Sequence, residues 1–178
     1  MITKIFGGKK IIIRELSKTD LRNVKEFQDF INSLVEENAQ ILLNKKITFK
    51  DEKNWLNNLY KFTKSKRTVF LFAEHMGKIV GTTDIGLDVR RMSHVGRFGI
   101  IIKKGYRGIG LGTYLGEEII KLAKKKLKPK IISLGVFPNN KPAISLYKKL
   151  GFKKVARIPK QIQYKGKLIN EFIMLKYL

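Results

Sequence analysis

The chain has 178 residues, and its 38 Lys and Arg against only 14 Asp and Glu give a formal net charge of +24 at pH 7. Cysteine is absent and histidine occurs twice, which excludes a disulfide framework, a cysteine nucleophile and a thiolate metal site and makes a zinc site unexpected. The length predicts a single domain over residues 1–178, and the lack of a long apolar run or an apolar leader predicts a cytoplasmic protein.

The N-terminal part of the chain predicts a strand followed by a helix. Residues 11–16 are largely apolar and predict the first strand, and the polar residues at 17–20 offer N-caps for the first helix. The residues spaced to form one buried face of that helix are Leu21, Val24, Phe27, Ile31 and Leu34. Residues 39–50 show no such periodicity and predict a loop.

A second helix and a hairpin are predicted next. The helix is expected to begin at Asp51 and to bury one side of its surface, formed by Trp55, Leu59 and Phe62. Two strands over 68–74 and 79–87 follow, and the short turn at 76–78 joins them as a hairpin.

The C-terminal half alternates strands and helices. The predicted strands cover residues 94–102, 131–136, 152–158 and 168–177, and the predicted helices cover residues 110–126 and 140–150. Gly151 stands where glycine commonly ends a helix. The order β-α-α-β-β-β-α-β-α-β-β predicts an α/β fold in which helices pack on one mixed sheet.

A glycine-dense turn lies between the strand that ends at Ile102 and the helix that follows. It reads Gly105-Tyr-Arg-Gly-Ile-Gly-Leu-Gly112, and glycines there allow positive φ and close approach of a ligand to the backbone. Free N–H groups at a helix start favour an anion, and Arg107 adds a forked cationic donor. The turn therefore predicts a diphosphate site. It lacks the Lys-Ser/Thr end of a Walker A loop and the downstream acid of a dinucleotide fingerprint.

The spacing Arg107-x-x-Gly110-x-Gly112 resembles the signature with which GNAT-type N-acetyltransferases bind the pyrophosphate of acetyl-CoA. Residues 94–102 also resemble the central strand of that family, and residues 138–152 resemble its second signature segment. The closing hairpin, with Glu171-x-x-Met174, is similar to that of RimI/RimJ-type members. The resemblance implies a GNAT fold, a mixed and mostly antiparallel sheet of six to seven strands flanked by four helices.

The resemblance also implies a function and a binding site. The reaction is transfer of an acetyl group from acetyl-CoA to a primary amine by direct attack in a ternary complex. The residues implied to hold the diphosphate through the turn are Arg107, Gly108, Ile109, Gly110, Leu111, Gly112 and Thr113. The main chain of Ile100 and Ile102 is implied to bind the pantetheine arm, and the small side chain of Ala143 to let it pass. Asn140 is implied to hydrogen-bond the cofactor. Core isoleucines, an N-cap and a helix former are the structural alternatives for these four residues.

Tyr147 matches the family position whose phenol donates a proton or hydrogen bond to the leaving thiolate. Because the usual pKa of tyrosine is about 10, the phenol stays protonated at neutral pH and can donate. The alternative is an aromatic side chain that packs one face of an amphipathic helix.

The general base is left open by the sequence. Many members of the family place a glutamate on the central strand, about where Arg97 and Phe98 stand here, and neither of these residues accepts a proton at neutral pH. The remaining candidates, acting directly or through water, are Asp84, Glu74, Glu36, Glu37 and His94.

Positive charge is concentrated in the C-terminal half. Residues 1–88 carry 16 Lys and Arg against 11 Asp and Glu, whereas residues 89–178 carry 22 against 3. Such a surface attracts polyanions, among which coenzyme A has the right sign and a ribosome or other nucleic acid is an alternative. A solvated lysine-rich surface accounts for the same charge.

The acceptor and two rival functions also stay open. A peptide or protein N-terminus tolerates the positive charge and fits the RimI/RimJ similarity, while a small amine is the other choice. The rivals are an acetyl-CoA sensor without turnover, favoured by the missing glutamate, and a basic RNA- or ribosome-associated binding protein. The absence of an RNP-like motif or helix-turn-helix argues against the latter. No membrane partner is expected, and a homodimer is compatible with the sequence.

Overall fold

A computed structural model describes residues 1–178. It contains eight strands, four α-helices and two short 3-10 helices at Lys18–Arg22 and Arg90–Met92. The strands are β1 (Ile2–Phe6), β2 (Lys9–Glu15), β3 (Thr68–His75), β4 (Lys78–Leu87), β5 (Val95–Ile102), β6 (Ile131–Val136), β7 (Lys153–Tyr164) and β8 (Lys167–Tyr177). The helices are α1 (Val24–Glu36), α2 (Phe49–Lys64), α3 (Leu111–Lys126) and α4 (Lys141–Lys149).

All eight strands form one sheet in the order β1-β2-β3-β4-β5-β6-β8-β7. Neighbouring strands are antiparallel except for β5 and β6, which run parallel. Side chains alternate across the sheet, so Phe70 and Phe72 of β3 pack under α1 and α2, whereas Val69 and Leu71 pack with α3 and α4. The sheet is therefore covered by two helices on each face.

The predicted order of elements is confirmed, but the predicted number of strands is too low. The additional strand is β1, which pairs with β2 through a turn at Gly7 and Gly8. It is a short edge strand whose residues are mostly exposed, so it carries little of the apolar alternation that marks a half-buried strand. Its two turn glycines were the available signal, because both take positive φ.

The predicted buried side of α2 is partly wrong. Trp55 and Phe62 are 46% and 52% exposed, while Glu52, Leu56 and Leu59 face inward. Leu59 fits two possible buried faces of α2, one with Trp55 and Phe62 and the other with Leu56. The face that contains Leu56 is the one that packs against the sheet. Trp55 still contacts the core from its edge, with its ring 6.0 Å from that of Phe70. No helix of the chain combines the length and the apolarity needed to cross a membrane.

Candidate functional site

The centre of the sheet opens between β5 and β6. These strands pair over only three residues each, Val95 to Arg97 with Ile131 to Ser133. Beyond that point β5 stays paired with β4 up to Ile102, and β6 stays paired with β8 up to Val136. The facing edges of the two strands therefore diverge and leave unpaired main-chain groups along a cleft.

Ile100 and Ile102 direct their main-chain groups into this cleft. The N–H of Asp88 donates to the carbonyl of Val95, and the N–H of Lys103 donates to the carbonyl of Val80, each at 2.9 Å. Because hydrogen-bonded pairs alternate along an antiparallel ladder, the odd-numbered residues of β5 bond to β4. The even-numbered residues face the opposite edge, which lies along the divergence from β6. Their side chains also pack against the core, as the structural alternative for the two isoleucines expects, and their role in binding the pantetheine arm stays a prediction.

The glycine-dense turn leads from the end of β5 into α3. Gly105, Gly108 and Gly110 take φ values of 86°, 76° and 87°, and Gly110 is the N-cap of α3 without a side-chain cap. No backbone N–H from residue 107 to residue 113 donates a hydrogen bond to the protein. A run of seven free donors at a helix start has the geometry and the charge that favour binding of an anion.

Arg107 folds back over the end of β5. Its Nε donates to the carbonyl of Ile102 at 2.7 Å, and its guanidinium forms an ion pair with Glu37 at the end of α1. The side chain is 48% exposed, so an anion in the turn has access to it. The turn, the cleft and the end of α1 thus meet at one place.

Asn140 and Ala143 lie at the start of α4, across the cleft from β5. The Asn140 Oδ1 accepts a hydrogen bond from the N–H of Ala143 at 3.2 Å, which makes Asn140 the N-cap of α4. The Asn140 Nδ2 has no partner in the protein and remains free to donate. Ala143 packs at the edge of the core beside Leu146.

Tyr147 lies one turn further along α4 and faces β5. Its ring packs edge-to-face against Phe98 at 5.9 Å and against Phe152 at 6.1 Å, and the residue is 8% exposed. Burial raises the pKa of Tyr147 to about 12, so the phenol stays protonated across the physiological range. Its hydroxyl makes no hydrogen bond to the protein. Because every side-chain oxygen that is fully enclosed in the protein does have a hydrogen-bond partner, the Tyr147 hydroxyl must be accessible to solvent. It is a free donor.

The candidate bases differ sharply in their surroundings. The carboxylate of Glu74 is bound by Arg14 at 2.9 Å, that of Glu36 by Lys46 at 2.6 Å, and that of Glu37 by Arg107. His94 is exposed just before β5 begins. Only the carboxylate of Asp84 has no hydrogen-bond or ion-pair partner among these acids, and burial raises its pKa to about 7.

A cavity that the sequence did not predict opens on the α1 and α2 face of the sheet. Its volume is about 550 Å³, and it lies between the end of α1, the following loop and the β7–β8 hairpin. Tyr164 spans its rim by donating to the carbonyl of Asn38 at 3.1 Å. Glu171 lines it with a carboxylate that has no partner and that lies over Gly135 of β6. The available signal was that Glu171 is the one acidic residue after Glu118.

The acetyltransferase (GNAT) family pattern matches residues 29–152. The L-amino acid N-acetyltransferase AaaT of Escherichia coli is 33% identical over 101 residues, which cover 56% of this chain and 62% of the relative. An N-alpha-acetyltransferase of Sulfurisphaera tokodaii is 33% identical over 102 residues, which cover 52% of this chain and 60% of the relative. The chain thus spans about three fifths of the length of these curated relatives.

A solved structure agrees over almost the whole chain. An acetyltransferase of the GNAT family from Streptococcus pneumoniae superposes with a TM-score of 0.82 at 28% identity, covering 94% of this chain and 99% of that one. The fold that the resemblance implied is therefore confirmed, with eight strands in place of six to seven. Since the family pattern covers more than half of the sequence, the chain belongs to the acetyltransferase (GNAT) family.

Proposed function

We propose that this protein is an acetyl-CoA-dependent N-acetyltransferase. The observation that carries the proposal is the run of seven unpartnered N–H groups at residues 107–113, which ends beside the cleft between β5 and β6. A diphosphate fits such a run because its oxygens accept several hydrogen bonds and its charge meets the positive end of α3. Family membership and the names of both curated relatives support the same activity.

The chain offers a continuous set of contacts for acetyl-CoA. The diphosphate takes the N–H groups from Arg107 to Thr113 and the Arg107 guanidinium, and the pantetheine amides pair with the main chain of Ile100 and Ile102. Asn140 donates through its free Nδ2. When bound, acetyl-CoA supplies the thioester whose acetyl group the amine accepts.

Tyr147 is proposed as the catalytic acid. Its hydroxyl has no partner in the protein and is protonated at neutral pH, and its ring packs against Phe98 of β5. As the C–S bond breaks, the sulfur leaves with its electron pair and takes the phenolic proton. The surrounding Phe98 and Phe152 hold the ring in place and keep water from its faces.

The acceptor is proposed to be an α-amine, on a free amino acid or at a peptide N-terminus. One curated relative is named for L-amino acids and the other for an N-alpha position, and an α-amine is common to both. The cavity of about 550 Å³ beside the cleft has room for the rest of the amino acid or peptide, and Glu171 adds a negative charge to its lining.

Calorimetric titration with acetyl-CoA tests the proposal. We expect the wild-type protein to bind in the micromolar range and the double variant Arg107→Ala, Gly110→Ala to lose that binding. A thiol-release assay then compares free L-amino acids and peptides with a free N-terminus against the same compounds with a blocked amine and against polyamines. A folded wild-type protein that does not bind acetyl-CoA contradicts the proposed function. Binding without turnover of any amine favours the sensor.

A further inference from the structure

The carboxylate of Asp84 lies on the face of the sheet that α1 and α2 cover. In the antiparallel register Asp84 of β4 lies opposite Phe70 of β3 on one side and Gly99 of β5 on the other. Cross-strand partners share a face, and Phe70 belongs to the core under α1 and α2, so the Asp84 side chain stands on that face. The cavity that contains Glu171 opens on the same face.

Asp84 occupies the place that a side chain on β5 would otherwise take. A Cβ added to Gly99 would lie 2.7 Å from the Asp84 Oδ1. The carboxylate therefore extends from β4 and lies over the glycine of β5. Gly99 directly precedes Ile100, whose main chain faces the cleft. Glycine at position 99 therefore leaves on β5 the space that the Asp84 carboxylate occupies.

The surroundings keep this carboxylate free. The charged side chains on β5 and directly after β4 are Arg97 and Asp88, which bind each other at 2.8 Å, and Arg97 also donates to Ser133. Glu37 at the end of α1 is paired with Arg107, the buried Glu52 faces inward from α2, and β3 presents the ring of Phe70. The unpaired Glu171 lies on β8, beyond β6. Burial alone, without a neighbouring charge, raises the pKa of Asp84.

We propose that Asp84 is the general base, which takes a proton from the acceptor amine beside Gly99. This inference rests on the proposed function and completes it. Asp84 accepts one proton from the acceptor ammonium and passes it to solvent, and the neutral amine then forms the C–N bond as the C–S bond breaks. The nitrogen loses its second proton to Asp84 or to solvent while Tyr147 protonates the sulfur and is reprotonated from water. One proton is released per acetyl group transferred.

The raised pKa suits the role. A carboxylate with its usual pKa is too weak a base to take a proton from an ammonium near neutral pH. A carboxylate whose pKa is about 7 is a stronger base, so it accepts that proton more readily. Since only the ionised form accepts a proton, kcat should rise as pH rises through about 7.

The test compares Asp84→Asn with wild-type protein at saturating acetyl-CoA, using an amine that the wild-type protein acetylates. We expect kcat to fall by about 10²- to 10⁴-fold. The increase of kcat with pH near neutral pH, called the pH limb below, should also disappear. The Kd for acetyl-CoA should stay unchanged, which a loss of folding would not allow. Asp88→Asn is the matched control, because it removes a carboxylate four residues away that binds only Arg97, and it should keep both kcat and the limb.

A second variant displaces the carboxylate without removing it. In Gly99→Ala the added methyl group meets only the end of the Asp84 side chain, which can rotate away, so the fold is preserved and kcat should fall. If Asp84→Asn keeps wild-type kcat and the same pH limb, the assignment of Asp84 is overturned while the proposed function stands. If the wild-type protein binds no acetyl-CoA, the proposed function itself fails.

Discussion

Arg107, in the glycine-dense turn before α3, is paired with Glu37 at the end of α1. The pair connects two sites, because the chain continues from Glu37 into Asn38 and Ala39, which line the cavity proposed for the acceptor. We expect a diphosphate in the glycine-dense turn to compete with Glu37 for the same guanidinium. Binding of acetyl-CoA is therefore expected to release the end of α1 and to change the rim of the cavity.

Glu37→Gln should tighten the binding of acetyl-CoA. The substitution removes the competing carboxylate and leaves Arg107 free for the diphosphate. Because a half-exposed ion pair contributes about 0 to 1 kcal/mol, the expected gain in affinity is up to about fivefold. Calorimetry at low salt measures it. Glu36→Gln is the control, since that neighbouring carboxylate pairs with Lys46 instead. Weaker binding in Glu37→Gln would show that the two groups do not compete.

Two glycines of the turn should respond differently to alanine. Gly110 takes a φ of 87°, where an L-residue costs roughly 1 to 2 kcal/mol, so Gly110→Ala should lower both the melting temperature and the affinity for acetyl-CoA. Gly112 lies in the first turn of α3, outside the positive-φ region, and an added Cβ would lie 3.4 Å from Leu146 and 3.8 Å from Ile102.

Gly112→Ala should therefore keep or raise thermal stability, because alanine favours the helix. Its methyl group lies between α4 and β5, in the path proposed for the pantetheine arm, so affinity for acetyl-CoA should fall by about tenfold, or about 1.4 kcal/mol. Thermal unfolding and calorimetry on the same samples separate the two effects. Wild-type affinity in Gly112→Ala would mean that the arm does not pass there.

Tyr147→Phe should separate an enzyme from a sensor. The hydroxyl has no partner in the protein, so its removal should leave the melting temperature and the Kd for acetyl-CoA unchanged. Turnover should fall by about 10² because the leaving sulfur loses its proton donor. Tyr60→Phe on α2 is a matched control, since Tyr60 lies away from the cleft. Unchanged turnover in Tyr147→Phe would leave the ring with a packing role alone.

Local signals made much of this fold predictable. Some residues determine the backbone locally, through contacts that are close in sequence. They are the glycines at 105–112, the N-cap Asn140 and the helix-ending Gly151, and the structure contains the turn and the helix boundaries that they predict. The edge strand β1 was missed because its exposed residues carry no alternation. The buried side of α2 was misassigned because Trp55 and Leu56 are adjacent, and only packing against the sheet selects between them.

The candidate site was less predictable because its chemistry depends on strand register. Asp84 is one of five candidate bases that the sequence indicates. The sequence alone could not show that the Asp84 carboxylate lies over Gly99, fifteen residues further along the chain. Nor could it show that Glu74, Glu36 and Glu37 are held by cations. The partners proposed from charge, a nucleic acid, a ribosome or a second copy of the chain, stay predictions.

Two adjacent acids at the start of α2 should give opposite dependences of stability on pH. Glu52 is buried without a partner, and burial raises its pKa to about 7, above the usual 4.5. Its favourable contribution is complete below about pH 4.5 and is lost as pH rises through about 7. Glu52→Gln should therefore match wild-type stability in acid and exceed it above neutral pH by up to about 3 kcal/mol.

Asp51 should change stability with pH in the opposite direction. Hydrogen bonds from the hydroxyl and N–H of Thr48 lower its pKa below 3.8, so its stabilising effect is present at neutral pH and is lost as pH falls through the lowered value. Asp51→Asn should therefore be less stable than wild type at neutral pH, and the difference should shrink in acid. Urea unfolding of both variants across pH measures the two slopes. Because the residues are neighbours on one helix, parallel slopes would contradict the assignment of burial to Glu52 and of capping to Asp51.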